Sequence, residues 1–249
     1  MQQFFLQTIQ HSQLLLREAA VHLLANGLYD LIQIFLGIES FFCGEKKLAA
    51  IISHTVLCAD ISFFLQPLDA GYIDRVAFNL IVNFERMIGR RIPKADMARW
   101  IDCVALDGGV REGDNHVQVV LIHDREHAGL ENFAPGNLAG ELNGKAFKDN
   151  LGEFSISALP VEDIVSRDDF FADVVEAVCA GKETRRIMIV PDDSRAALYD
   201  CLCHILRRVD DEKRVTMFAM QPMPGGNFRQ EILGYSLMSA LGIRSDELK

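Results

Sequence analysis

Basic residues are the minority among the charged residues of this sequence. Its 249 residues include 25 Lys and Arg against 35 Asp and Glu, which gives a formal net charge of -10 at pH 7. A protein that lies along nucleic acid usually presents a basic face. This charge balance therefore disfavours RNA as a partner, although a small basic groove is compatible with it.

Cysteine is also scarce, with six residues spread along the chain. That number is too small for a domain held together by disulfides. Scattered cysteines are typical of a reducing compartment, so the sequence predicts a cytoplasmic protein.

Long apolar runs are missing. The best candidate for a membrane span covers residues 19–42, but polar side chains interrupt it at helical spacing: His22, Asn26, Asp30, Gln33 and Glu39. A membrane helix needs about 20 mostly apolar residues, and a secretory signal needs an early basic region. The first basic residue is Arg17, so we expect neither feature.

Three sequence motifs of common enzyme classes do not occur. There is no G-x-G-x-x-G after a strand, no G-x-x-x-x-G-K-[ST] and no G-x-S-x-G, which removes the main support for a dinucleotide-binding protein, a P-loop NTPase or an α/β-hydrolase. His123 to His127 match the zinc-peptidase pattern H-x-x-E-H. Because His123 closes an apolar strand, the two histidines do not share a helix and we expect no zinc site.

The first part of the chain differs in composition from the rest. Residues 1–70 contain only nine charged residues, whereas leucines such as Leu24, Leu28 and Leu31 recur there at helical spacing. We predict a helical N-terminal extension over residues 1–60 and an α/β domain over residues 61–249. Three roles for this extension stay open. Its apolar stripe packs on the main domain, or it packs on a second copy of the chain and makes a homodimer. Alternatively, the structure of the extension matters little to function.

From residue 61 onward, strand and helix patterns alternate. Apolar and β-branched runs predict strands at 61–68, 117–122, 154–159, 187–190 and 215–220. Helical spacing predicts helices at 72–89, 93–106, 168–180, 194–208 and 228–241. The polar stretch 143–150 is expected to be a surface loop. This alternation predicts a three-layer α/β fold with a mainly parallel, doubly wound, Rossmann-like sheet.

Carboxylates follow four of the five predicted strands. Asp69, Asp124, Asp163 and Asp192 each come shortly after an apolar run. The carboxyl ends of parallel strands lie along one edge of a sheet, where ligands bind. Carboxylates that meet there repel one another unless a cation neutralises them, and Mg²⁺ or Mn²⁺ prefers such oxygen ligands. The sequence therefore nominates Asp69, Asp163 and Asp192 as metal ligands.

Helix capping is the competing explanation for the same acids. Asp is a favoured N-cap residue, and acidic groups suit the first turn of a helix. Each of these acids precedes a segment that a cap would suit, so the pattern leaves both roles open.

Several segments resemble an uncharacterised bacterial family of domains of unknown function. They are residues 74–78 (DRVAF), 83–86 (NFER), 113–115 (GDN), 144–150 (GKAFKDN) and 228–235 (FRQEILGY). The resemblance covers most of residues 61–249 and implies no activity, since none is known for the family.

The order of elements is also similar to PIN-like and NYN-type nuclease domains. These domains carry acids after their first and fourth strands and bind Mg²⁺ or Mn²⁺ for RNA cleavage; Asp69 and Asp192 match the two positions. NYN domains have a Ser-Gly-Asp-x-Asp-Phe turn after the fourth strand. Here the turn is Pro191-Asp192-Asp193-Ser194, without the glycine and the second acid, which implies a degenerate relative.

Two functional hypotheses follow. The first is a PIN-like, divalent-metal-dependent nuclease or phosphodiesterase with Asp69 and Asp192 as catalytic residues, in which a metal-bound water attacks the phosphodiester. The second is a non-catalytic regulatory or assembly module, in which the acids cap helices and the N-terminal helices form a homodimer or bind a partner. The first needs carboxylate oxygens free to reach a cation at about 2.1 Å, whereas the second needs those oxygens hydrogen-bonded within the protein.

Overall fold

The computed structural model describes residues 63–162, 165–181 and 184–248. The predicted extension at 1–60 and the candidate ligand Asp163 lie outside these residues. Both remain predictions.

Strands and helices alternate along the described residues, in a mixed α/β arrangement. The strands are β1 (Phe63–Asp69), β2 (Ala95–Asp96), β3 (Asn115–Asp124), β4 (Phe133–Ala134), β5 (Lys145–Lys148), β6 (Gly152–Val161), β7 (Thr184–Ile189), β8 (Arg214–Ala219) and β9 (Arg229–Ile232). The α-helices are α1 (Ala70–Ile88), α2 (Met97–Asp107), α3 (Arg167–Ala180), α4 (Ala196–Leu206) and α5 (Leu233–Ala240). A π-helix covers Leu138–Leu142, and a 3₁₀-helix covers Ser245–Leu248.

Seven of these strands form one open, mixed sheet in the order β5-β6-β3-β1-β7-β8-β9. Its pairings are parallel except for β5 with β6. Strand β1 lies between β3 and β7, so the chain builds one side of the sheet first and then crosses over to the other. Strands β2 and β4 form a separate parallel pair.

Acidic and hydroxyl side chains set the first turn of three helices. Asp69 caps α1, Asp96 caps α2 and Ser166 caps α3, and each side chain accepts a backbone N–H of the first turn. Such caps satisfy donors that the helix itself leaves unpaired. Helix α1 ends at Gly89, whose φ of 73° is the left-handed conformation that glycine adopts without strain.

Two hydrophobic clusters divide the buried side chains. Val119 and Leu121 of β3 belong to one cluster, together with residues of α1, α2 and α5. The intervening Val120 belongs to the other, together with residues of α3 and α4. Because successive side chains of a strand point to opposite faces, a strand that is apolar on both faces appears in the sequence as a continuous apolar run.

Three predicted segments differ from the structure. Residues 145–148 form the edge strand β5 rather than a loop, because they pair antiparallel with β6. The helix expected at 228–241 begins only at Leu233, since residues 229–232 pair with β8. The helix expected from Pro93 begins at Met97, where the Asp96 carboxylate caps it through the amide of Arg99.

Among the described residues, no helix combines the length and the apolar character that crossing a membrane requires.

Candidate functional site

The crossover in the sheet brings two predicted site residues to the same edge. Asp69 ends β1, and Asp192 follows β7, the neighbouring strand. The backbones of both strands stay paired up to this edge, because the Asp69 amide donates to the Val190 carbonyl at 3.0 Å. In an open α/β sheet, the carboxyl ends of the strands beside such a crossover are the usual place for a ligand.

Both carboxylate oxygens of Asp69 have partners. Oδ1 accepts the Tyr72 amide at 2.8 Å as the cap of α1, and Oδ2 lies 3.4 Å from Nε of Arg167. The Asp69 side chain is buried, and this burial raises its pKa above the usual range despite the opposing effect of Arg167.

The oxygens of Asp192 are occupied as well. Oδ1 accepts hydrogen bonds from the hydroxyl of Ser194 at 2.5 Å and from its amide at 3.1 Å. Oδ2 accepts a hydrogen bond from Nη2 of Arg75 at 2.8 Å. Burial alone would raise the pKa of Asp192, but the hydrogen bonds from Ser194 and Arg75 outweigh it and hold this pKa below its usual value. Asp192 is therefore a carboxylate at neutral pH.

Arg167 connects the ends of two strands. Its Nε faces Asp69 at the end of β1, and its Nη1 donates to Asp124 at the end of β3 at 2.7 Å. Repulsion from Asp124 and Asp192 contributes to raising the pKa of Asp69. The guanidinium of Arg167 thus partly neutralises the acids at this edge.

Two further contacts lie at this edge of the sheet. Arg195, the residue before α4, forms an ion pair with Asp168 in the first turn of α3. Asp193 accepts the Met220 amide at 2.8 Å, which fixes the chain just after β8.

A pocket of about 530 Å³ opens at this edge. We call it the strand-end pocket. Its lining combines residues of α1, the start of α3, the turn after β7 and the residue after β8: Tyr72, Arg75, Val76, Asn79, Arg167, Asp192, Asp193, Ser194, Arg195 and Met220. The guanidinium carbon of Arg75 lies 5.5 Å from the centroid of the Tyr72 ring, within range of a cation–π interaction.

Residues 66–248 match the model of a family of unknown function, DUF6621. The chain belongs to this family. The match confirms the resemblance to a family of domains of unknown function, and it includes Asp69, Asp192 and the three arginines that line the strand-end pocket. Comparison with curated proteins gave no match, and comparison with solved structures gave none either.

In this DUF6621 chain, two of the acids that were predicted to hold a divalent cation, Asp69 and Asp192, already interact with groups of the protein. The four oxygens of Asp69 and Asp192 all face N–H or O–H donors already. Within the described part of the chain, no group of three or more His, Cys, Asp or Glu side chains is arranged to hold a metal ion. The metal assignment of Asp69, Asp163 and Asp192 stays a prediction.

His123 lies within β3, as the sequence predicted, and its ring is buried. Its Nδ1 is 2.8 Å from the carbonyl oxygen of Asp124. His127 lies beyond the end of β3, outside any helix, so the two histidines do not share a helical face.

The sequence analysis did not nominate the three arginines of the pocket. A signal for two of them was nevertheless present. Arg167 is the first residue of α3 and Arg195 is the N-cap of α4. The N-terminus of a helix carries a partial positive charge and favours acids, so an arginine there indicates a nearby anionic partner.

Proposed function

We propose that this DUF6621 chain is a PIN-like domain of three layers in which arginines neutralise the acids at the strand ends. In this proposal the domain is a non-catalytic module and does not cleave phosphodiesters. The sheet order supports the comparison, since Asp69 and Asp192 follow the first and fourth parallel strands of the large sheet. These are the positions of the metal-binding acids in the nuclease domains that the sequence resembles.

One observation carries the proposal: every carboxylate oxygen of Asp69 and Asp192 already interacts with a donor of the protein. Mg²⁺ demands oxygen ligands at about 2.1 Å in a nearly octahedral arrangement. The guanidinium groups of Arg167 and Arg75 already supply the positive charge that these buried carboxylates need, because an unpaired buried charge is strongly destabilising. The local network is therefore complete without a metal.

The turn after β7 also supports this proposal. Pro191-Asp192-Asp193-Ser194 lacks the glycine and the second acid of the NYN turn. Asp193 accepts the Met220 amide instead, which is a structural role.

The nuclease hypothesis is tested by titrating Mn²⁺ into the full chain in a calorimeter, with Asp69→Asn and Asp192→Asn alongside. We expect no saturable heat in the micromolar range for any of the three proteins. We also expect no Mn²⁺-dependent cleavage of a fluorescent single-stranded RNA.

Asp114→Asn serves as the matched control. It also removes one negative charge, but at a side chain that is 94% exposed and lies outside the pocket. Micromolar Mn²⁺ binding that survives in Asp114→Asn and disappears in both Asp69→Asn and Asp192→Asn would overturn the proposal. It would restore the metal-dependent nuclease, with these two acids as ligands.

We further propose that the module assembles through residues 1–60 as a homodimer and acts in the cytoplasm. The leucine stripe of that segment supports self-association. All four cysteines that the structure describes are free, which suits a reducing compartment. The net charge of -10 disfavours RNA as the partner of such a module.

A further inference from the structure

Two arginines of the strand-end pocket are much more exposed than the two acids at the strand ends. The side chains of Arg75 and Arg195 are 50% and 45% exposed, whereas those of Asp192 and Asp69 are 4% and 1% exposed. Asp193, which also lines the pocket, is half-buried. Asp192 holds Arg75 in place, and Asp168, whose side chain is 30% exposed, holds Arg195.

These arginines keep unused donors. A guanidinium has five N–H donors in a planar arrangement that matches phosphate and carboxylate oxygens. Of the hydrogen bonds among the described residues, Arg75 makes one, to Asp192, and Arg195 makes one, to Asp168. Most of their N–H groups are thus left for a ligand or water.

The start of α4 adds donors beside Arg195. No side chain caps the first turn of this helix, and Ala196 and Ala197 at its start are exposed. Unsatisfied amides at a helix N-terminus, together with the helix dipole, favour an anion.

A buried hydroxyl also points to a missing partner. Tyr72 lines the pocket and is 2% exposed; its buried Oη makes no well-aligned hydrogen bond, although the Asp193 carboxylate lies close enough to interact with it. Burial, followed by the nearby Asp193 carboxylate, raises the pKa of Tyr72 above its usual value, so the hydroxyl keeps its proton. A buried polar group without a well-aligned partner is rare in proteins and calls for an explanation; an oxygen of a ligand in the pocket would accept a hydrogen bond from this hydroxyl.

We propose that the strand-end pocket binds the phosphate group of a small phosphorylated molecule through Arg75, Arg195 and the start of α4. Two guanidinium groups and a helix N-terminus match a group that carries about two negative charges on three terminal oxygens. The volume of about 530 Å³ lies within the range of small-molecule sites. The net charge of -10 opposes an extended polyanion rather than a single phosphate.

The test titrates inorganic phosphate, AMP and adenosine into the full chain by calorimetry. The buffer contains EDTA, so that the result does not depend on whether the protein binds a metal and failure here is separate from failure of the function proposed above. We expect phosphate and AMP to bind saturably and adenosine not to bind. Arg75→Gln and Arg195→Gln should each weaken phosphate binding at least about tenfold. Tyr72→Phe should weaken it while the protein remains folded.

Arg91→Gln is the control, because its side chain is 96% exposed and lies outside the pocket. No saturable phosphate binding, or an equal loss of affinity in Arg91→Gln, would overturn the proposal. A single-stranded RNA oligonucleotide that binds more tightly than AMP, and loses this binding in Arg75→Gln and Arg195→Gln, would replace it with a nucleic-acid site. Unchanged affinity in Tyr72→Phe would remove the hydroxyl from the site.

Discussion

Two carboxyl groups with raised pKa values have different neighbours: Asp69 is buried, whereas Asp102 is half-buried. Asp69 has the Tyr72 amide and Arg167 beside it, so burial is partly offset. Asp102 on α2 instead lies beside another acid, Asp149, and its Oδ1 is buried without a hydrogen-bond partner. Burial, followed by the hydrogen bond to Asp149 and repulsion from it, raises the pKa of Asp102 to about 7. At the residue scale, the partner decides what a buried acid costs.

The pair formed by Asp102 and Asp149 predicts a pH dependence of stability. Because the pKa of Asp102 in the folded state lies above the unfolded value of 3.8, its contribution is fully present below about pH 4 and is lost as the pH rises through about 7. Asp102→Asn removes this loss. We expect the variant to exceed the wild type by about 1–2 kcal/mol in free energy of unfolding at pH 8, because water screens the charges at this partly exposed site and keeps the gain modest.

Urea unfolding of both proteins at pH 5 and pH 8 measures this difference, which should be much smaller at pH 5. Asp114→Asn, at a highly exposed position, should behave as the wild type at both values. An Asp102→Asn advantage that is the same at both pH values would contradict the assignment.

At the scale of elements, the pairing of β3 with β6 depends on one close backbone approach. Gly152 begins β6 opposite Asn115 of β3, at a φ of +142°. A Cβ at this position would lie 2.2 Å from the Asn115 carbonyl oxygen, far inside any normal contact. The first residue pair of these strands therefore requires glycine.

Gly152→Ala should destabilise the protein by about 2–3 kcal/mol, because it combines a strained backbone with a clash that only a strand shift relieves. Gly225→Ala is the matched control, since a Cβ there meets nothing within 4 Å; its stability should stay within about 0.5 kcal/mol of the wild type. Chemical unfolding measures both. Equal stability of the two variants would show that β3 and β6 tolerate a separation at this point.

At the scale of the whole molecule, the described residues expose few large apolar side chains. Phe78 and Met87 both lie on α1, but nine residues apart, which places them on opposite sides of the helix. Single exposed apolar residues are normal on a protein surface. Self-association is therefore predicted from residues 1–60 and not from the described α/β region.

Leu31→Glu tests this prediction. It places a charge on the leucine stripe, whereas Gln33→Glu adds the same charge at a polar position of the same segment. By light scattering after gel filtration, we expect the wild type and Gln33→Glu to be dimers and Leu31→Glu to be a monomer, because burying an unpaired carboxylate in an apolar contact is costly. A monomeric wild type, or a dimeric Leu31→Glu, would contradict the dimer.

Apolar periodicity was sufficient to predict most elements of the fold. The helix predicted at 168–180 is α3 to within one residue, and the strand predicted at 187–190 lies within β7 and the residue after it. Periodicity failed at the sheet margins, where residues 145–148 and 229–232 are strands because a neighbour offers hydrogen bonds. Edge strands bury little surface, so their apolar pattern is weak. Whether such a segment forms a strand therefore depends on the neighbouring strand with which it pairs.

The sequence by itself determined the mixed α/β class and which strands end in an acid, because both depend on local order along the chain. It also nominated Asp69 and Asp192. Only the tertiary structure decided what these acids contact. Arg75 is 117 residues from Asp192 along the chain, and Arg167, the partner of Asp69, begins α3 whereas Asp69 caps α1. Spacing in a sequence reveals partners only within one element. The charges that neutralise a buried acid come from wherever the fold brings them, and this is why the sequence by itself left both capping and metal binding open.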